Sequence, residues 1–186
     1  RYFFWDPFCG SGTICIEAAM IALNRAPGMN RSFGAQKWAC VPQQVWREAR
    51  TEALDREYRG DYRILGTDID PAALDIARDN ARKAGVGKLI EFREADATKM
   101  SLPSDKGVMV CNPPYGERMG DADLMGLYRD FGKVFRSLRD WSCYFLSAYE
   151  GAERAFGGRA DKKRHLWNAR LACTLYAYFG KSPCKK

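Results

Sequence analysis

Tyr2-Phe3-Phe4-Trp5-Asp6-Pro7-Phe8-Cys9-Gly10-Ser11-Gly12-Thr13 is the stretch on which the fold turns. The aromatic run over 2–5 reads as a buried strand, and Asp6-Pro7 ends it. Gly10 and Gly12 let the backbone turn sharply and come close to a ligand. Residues 13–23 are apolar and helix-compatible, with Glu17, Ala18 and Ala19 as good helix formers. A strand that passes through a glycine turn into a helix also presents that helix's N-terminus, which favours negative charge.

Outward from this unit the alternation continues. Residues 24–34 contain Pro27, Gly28 and Gly34 and read as loop. Residues 43–58 read as a charged helix with Val45, Trp46, Ala49, Ala53 and Leu54 on one face. A second strand is expected over 62–67. Asp70 then caps a helix that has Pro71 at its first position, carries Leu74, Ile76, Ala77 and Ala81, and stops at Gly85. Strands follow at 89–93 and 107–111. A helix over 123–138 carries Leu124, Leu127, Tyr128, Phe131 and Val134 inward. A fifth strand at 141–148 and a short helix at 151–156 precede two strands, 165–168 and 171–179, close enough to pair antiparallel. The pattern is α/β: a Rossmann-like doubly wound, mostly parallel seven-stranded sheet with an antiparallel edge hairpin.

Composition bounds the class. The chain has 186 residues, 46% hydrophobic and 28% charged, which suits one domain, 1–186, with a sizeable core. No run of 18 uncharged apolar residues suggests a membrane span. The start is no signal peptide and has no initiator methionine, so a fragment of a longer protein is expected. The net charge of +7 favours a polyanionic partner. Seven cysteines, an odd number with no C-x-x-C, argue for free thiols in a reducing cytoplasm. A single histidine, His165, leaves no metal site in prospect.

Chemistry-bearing residues fall at successive strand ends, the edge at which open α/β sheets bind ligands. The first group is the Asp6 to Thr13 turn, which by itself is also an ordinary strand-to-helix turn. The second is Gly66-Thr67-Asp68-Ile69-Asp70, where Asp68 suits ribose hydroxyls and Asp70 reads as a helix cap. A dinucleotide site fits poorly, because Cys15 stands where the fingerprint needs a third glycine and Asp68 comes too late. The third, Ala95-Asp96-Ala97, is uninformative alone; after the other two it becomes a candidate acceptor for an adenine amino group. The fourth, Asn112-Pro113-Pro114-Tyr115-Gly116-Glu117-Arg118, is the sharpest. Its prolines stiffen the turn and donate nothing, its carbonyls and the Asn112 amide gather acceptors, and Tyr115 offers a face for stacking a base.

With these four in order the chain resembles a class I S-adenosylmethionine-dependent methyltransferase. More closely it resembles the methyltransferase domain of the THUMP-containing RNA guanine-N2 methyltransferases, a group often labelled adenine-specific DNA methylases. The residues that carry the resemblance are D-P-F-C-G-S-G-T from Asp6, G-T-D-I-D-P from Gly66, A-D-A from Ala95 and N-P-P-Y-G-E-R from Asn112. L-W-N-A-R-L-A-C-T-L-Y from Leu166 fits too, although Ala169 stands where the family usually has glycine. The resemblance implies that Asp6, Pro7, Cys9, Gly10, Gly12 and Thr13 hold the methionine side of S-adenosylmethionine. Asp68 would take the ribose, Ile69 the adenine ring, and Asp96 with Ala97 the adenine edge. Asn112, Pro113, Pro114 and Tyr115 would hold the target base, Asn112 bordering the cofactor as well. The family's upstream RNA-binding module is absent from these residues, so weak site preference on RNA is expected.

An exocyclic amine is a poor nucleophile because its lone pair is conjugated into the ring. Asn112 and the Pro113 carbonyl would take its hydrogens and turn the lone pair toward the methyl group, for direct displacement without a covalent enzyme intermediate. The expected substrate is RNA, with guanine N2 in 23S rRNA as the target. Adenine-specific DNA methylation and protein glutamine methylation share N-P-P-Y and are the alternatives, and a non-catalytic nucleic-acid-binding subunit would show a degraded loop. Lys162-Lys163-Arg164-His165 could touch phosphates but reads first as a solvated turn before a strand. Glu17 could meet the cofactor's ammonium group but reads first as suiting the helix dipole, and Trp38, Trp46 and Trp141 read as packing residues.

Overall fold

A computed structural model describes residues 3–102, 106–115 and 120–180. Seven strands form one sheet: β1 (Phe3–Asp6), β2 (Arg63–Asp68), β3 (Ile90–Glu94), β4 (Gly107–Cys111), β5 (Trp141–Ser147), β6 (Lys162–Asn168) and β7 (Leu171–Tyr178). Their spatial order is β3-β2-β1-β4-β5-β7-β6. The first five are mutually parallel, and β7 lies antiparallel between β5 and β6. The helices are α1 (Thr13–Ala22), α2 (Gln43–Asp55), α3 (Pro71–Ala84), α4 (Asp121–Ser137) and α5 (Ala152–Phe156).

Alternation along the strands sends successive side chains to opposite faces. On one face Ile64 and Ile90 pack against Cys15 and Ala19 of α1 and Leu74 and Ala81 of α3. On the other, Trp5, Met109, Phe145 and Tyr176 meet Leu124, Tyr128 and Phe131 of α4 and Phe156 of α5. The two helices of this second layer touch closely. A Cβ on Gly132 would run into the Phe156 carbonyl, and Arg136 donates to that same oxygen. Asp70 caps α3 by accepting from the Ala72 N–H at 2.9 Å, and Gly85, at φ +76°, ends it.

Three expectations need correcting. The basic run Lys162 to His165 is not a turn before the last strand pair: it is the first half of β6, which starts at Lys162 and pairs there with Ala177. Long polar side chains suit an open sheet edge as well as a turn, so composition could not separate the two. Trp38 is not packed but 62% exposed, whereas Trp141 is buried and Trp46 stacks on Phe33 with centroids 5.9 Å apart. The apolar face of α2 buries nothing fully, with Val45 and Leu54 each about half exposed. No helix among the described residues is long and apolar enough to cross a membrane. Six cysteines are free thiols, five of them buried. Gly116, Glu117, Arg118 and Cys184 lie outside the described residues.

Candidate active site at the carboxyl edge of the sheet

The parallel strands end at a common edge, where the β1–α1 turn is pinned to its neighbour. Cys9 N–H donates to the Thr67 carbonyl at 2.9 Å and Gly10 N–H to Asp68 Oδ2 at 2.8 Å. Asp68 Oδ1 accepts from the Asp70 N–H, two residues on, at 3.0 Å. One carboxylate thus fixes two turns and keeps lone pairs for further donors. Gly10 and Gly12 have φ of +49° and +84°, and a Cβ on Gly12 would stand 3.0 Å from that of Ala77. Only glycine meets both demands without strain.

Asp6 lies beneath this turn, 1% exposed. Its Oδ1 accepts the Phe8 N–H at 3.2 Å, and its buried Oδ2 has no partner. Burial, with the neighbouring Asp68 charge adding to it, pushes its carboxyl up to about 7. The Cys9 thiol, pushed up to about 12 by burial and by Asp6 and Asp68, stays protonated and is no nucleophile. At the end of β3, Asp96 closes its own turn: Oδ1 accepts from the backbone N–H and the hydroxyl of Thr98, and Oδ2 pairs with Lys99 at 2.8 Å. These partners, Lys99 first, hold its carboxyl down to about 2.

The edge opens into a cavity of about 1010 Å³. The structure brings Pro7, Asp68, Ile69, Asp96, Ala97, Asn112, Pro113, Pro114 and Tyr115 to its wall. Asp6, Cys9, Gly10, Gly12 and Thr13 are not in that wall; Asp6 and Cys9 are buried beneath the turn. Ile69, 70% exposed, owes that exposure to the cavity. The Asn112 amide has no hydrogen-bond partner among the described residues, so its donors and acceptor are available to a ligand.

Three residues that sequence reasoning did not assign to the site hold its far side. Tyr128 of α4, fully buried, donates to Ser147 Oγ at 2.8 Å and lies 3.4 Å from the Pro114 carbonyl. Burial raises its phenol well above the ordinary tyrosine value. Ser147 in turn accepts from the Tyr149 N–H at 3.1 Å. The third is Asn168, whose amide donates to the Tyr115 hydroxyl at 3.0 Å and draws the β6–β7 turn into the cavity wall. A buried serine at the end of a largely apolar strand was the available signal for this network. Ala169, the first residue of the two-residue turn, sits at φ +54°, a conformation costly for an L side chain.

The chain matches the RMKL-like methyltransferase domain family over residues 2–177. It belongs to that family. It is 41% identical over 180 residues to a Bacillus subtilis protein whose provisional name is RNA methyltransferase YpsC, covering 96% of this chain and 47% of that one. It is 39% identical to the ribosomal RNA large subunit methyltransferase K/L of Legionella pneumophila, over 94% of this chain and 25% of that protein. The crystal structure of SMU.472 complexed with S-adenosylhomocysteine superposes with a TM-score of 0.94 at 38% identity, over 98% of this chain and 49% of that one. The chain therefore spans about half or less of the relatives it matches. S-adenosylmethionine is the cofactor of this family, and the wall fits it: acidic acceptors at two strand ends, an exposed isoleucine between them and room for a nucleoside.

Proposed function

We propose that this chain transfers a methyl group from S-adenosylmethionine to an exocyclic amino group of an RNA base, guanine N2 of large-subunit ribosomal RNA being the target. The observation that carries the reading is one cavity in which carboxylates occupy one end and the Asn112 to Tyr115 acceptor turn the other. In this reading the domain is the catalytic portion of a longer protein, and residues outside it select the RNA. The relatives named for ribosomal RNA support this target class.

Asp68 would accept the ribose hydroxyls, Ile69 would pack on the adenine, and the Asp96 region would read its edge. Asp6, carrying an orphaned oxygen under the turn, would support the methionine end from below. When bound, the cofactor supplies an electrophilic methyl group. The chain's own contribution is orientation. The Asn112 oxygen and the Pro113 carbonyl would accept the two amino hydrogens, freeing the nitrogen lone pair for in-line attack. Tyr115, tethered by Asn168, would stack on a base already out of its helix. Tyr128, holding Ser147 and approaching Pro114, would keep the acceptor turn from moving when the amine presses on it. The proton would leave to water after transfer.

The test is methyl incorporation from radiolabelled S-adenosylmethionine into ribosomal RNA, with nucleoside analysis of the product. Label in N2-methylguanosine is the expected result. A second reading has one observation behind it: a Listeria monocytogenes structure named as a predicted N6-adenine-specific DNA methylase is 44% identical with a TM-score of 0.90. Label in N6-methyladenine of DNA, with none in RNA, would replace the first reading by the second.

A further inference from the structure

The open edge of the sheet carries a surface that the cavity chemistry does not use. Every residue of β6 is exposed except Leu166, which is half-buried. The strand runs down the open side of the sheet and ends at the cavity, delivering Asn168 and the turn to its wall, where Arg170 also stands. Lys162, Arg164, Leu166 and Asn168 share one face by the two-residue period, with neighbouring cations about 7 Å apart. Lys162, Arg164 and Arg170 have no acidic partner among the described residues. Two of the nearby acids are occupied elsewhere: Glu153 pairs with Lys163 at 2.9 Å, and Asp161 accepts the Phe179 N–H at 2.7 Å. On the other face Trp167 is 75% exposed, beside a recess of about 400 Å³ that it lines with His165, Tyr149 and Glu150.

Lysines on an edge strand have a simpler use, which is to keep the edge from pairing with another chain. That accounts for Lys162. It does not account for an indole left in solvent on the same edge, which invites association, nor for Arg170 in the wall of the cavity. Spaced cations beside an exposed aromatic, leading into a pocket that would take one base, suit an extended single-stranded nucleic acid. We infer that the open side of β6 is the track for the RNA strand next to the target nucleotide, with Lys162, Arg164 and Arg170 on its phosphates and Trp167 stacked on a flanking base. The inference rests on the RNA reading above and adds the route by which the strand reaches the cavity.

The test measures binding of a labelled 12-nucleotide single-stranded RNA to the 186-residue chain by fluorescence anisotropy across a salt series. For the Lys162→Ala/Arg164→Ala double variant, the slope of log affinity against log salt should shrink by about 1.4, from about 0.7 per lost phosphate contact on single strands. Trp167→Ala should weaken binding roughly 5- to 150-fold at any salt, the cost of one lost base stack, and leave the slope alone. Titration with S-adenosylhomocysteine, unchanged in both variants, certifies the fold. Wild-type affinity and slope in both variants would overturn the inference. So would a wild-type dimer, seen by light scattering and abolished by Trp167→Ala, with RNA affinity unaltered, since the edge would then serve a second copy of the chain. Label in DNA alone would remove the RNA target and overturn the inference that rests on it, whatever the variants' RNA affinity. Methylation of RNA at equal rates by wild type and variants would remove the track and leave the target standing.

Discussion

At the β1–β3 end of the cavity every candidate carboxylate already holds a protein donor, whereas at the β4–β7 end the Asn112 amide holds none among the described residues. Asp68 takes two backbone N–H groups, Asp96 a backbone N–H, a hydroxyl and an ammonium, and Asp6 one backbone N–H. These are bonds within turns or between adjacent strands, so this end is shaped before any ligand arrives. The other end is held from behind, through Tyr128, Ser147 and Asn168, on elements far apart in the chain. A methyl donor that must bind in one pose at every turnover and leave as S-adenosylhomocysteine calls for a preformed socket. A substrate base that must enter, react and leave calls for free acceptors on a firm support.

The comparison breaks most visibly at Asn112. Asn112→Ala should lower methyl transfer by roughly 10²–10³-fold, the loss typical of a group acting mainly in the transition state. Affinity for S-adenosylhomocysteine, measured by calorimetry, should stay within about threefold of wild type if, as proposed, the free amide serves the substrate end. Loss of both together would erase the distinction between the ends. Asp68→Ala should do the reverse, weakening S-adenosylhomocysteine by about 1–3 kcal/mol, since the Gly10 N–H loses its acceptor and the turn its anchor. Single-turnover transfer at saturating cofactor should change less than binding does.

Asp6 sharpens the comparison through pH. Its folded value of about 7 lies above the ordinary 3.8, so between those values the folded protein binds a proton that the unfolded chain does not. Stability from this group is therefore full below about pH 4 and is lost as pH rises to 7. Urea denaturation should show Asp6→Asn gaining on wild type by up to about 1.4 kcal/mol per pH unit across that window, and no further above it. A constant difference from pH 5 to 8 would mean that the Asp6 carboxyl is not desolvated under the turn. The smallest effect is expected at the β6–β7 hairpin. Ala169→Gly relieves a left-handed alanine and should stabilise the fold by roughly 0.5–1 kcal/mol, seen as a small rise in Tm. A fall in Tm would show that the alanine methyl contributes packing that outweighs its backbone cost.

The strand-end motifs were legible because each depends on neighbours in sequence. Asp70-Pro71 announces a helix start wherever it occurs, and Gly10-Ser11-Gly12 announces a turn. The same locality explains the errors. An open edge strand and a solvated turn both call for polar residues, so Lys162 to His165 could not be told apart by composition. Trp38 has the composition of a core residue, and nothing in its own sequence neighbourhood reports that the rest of the chain leaves it uncovered.

What the sequence determined by itself is the order of strands and helices, the glycine turn, the cap of α3 and the acceptor turn after β4, all set by short-range periodicity and backbone chemistry. The tertiary structure alone decided the spatial order β3-β2-β1-β4-β5-β7-β6, the seat of Asp6 in a desolvated pocket, the Tyr128–Ser147 support and the meeting of Asn168 with Tyr115. Those depend on residues tens of positions apart finding one another. Burial and hydrogen bonding across such distances follow from how the sheet is closed and covered, which no local window of sequence contains.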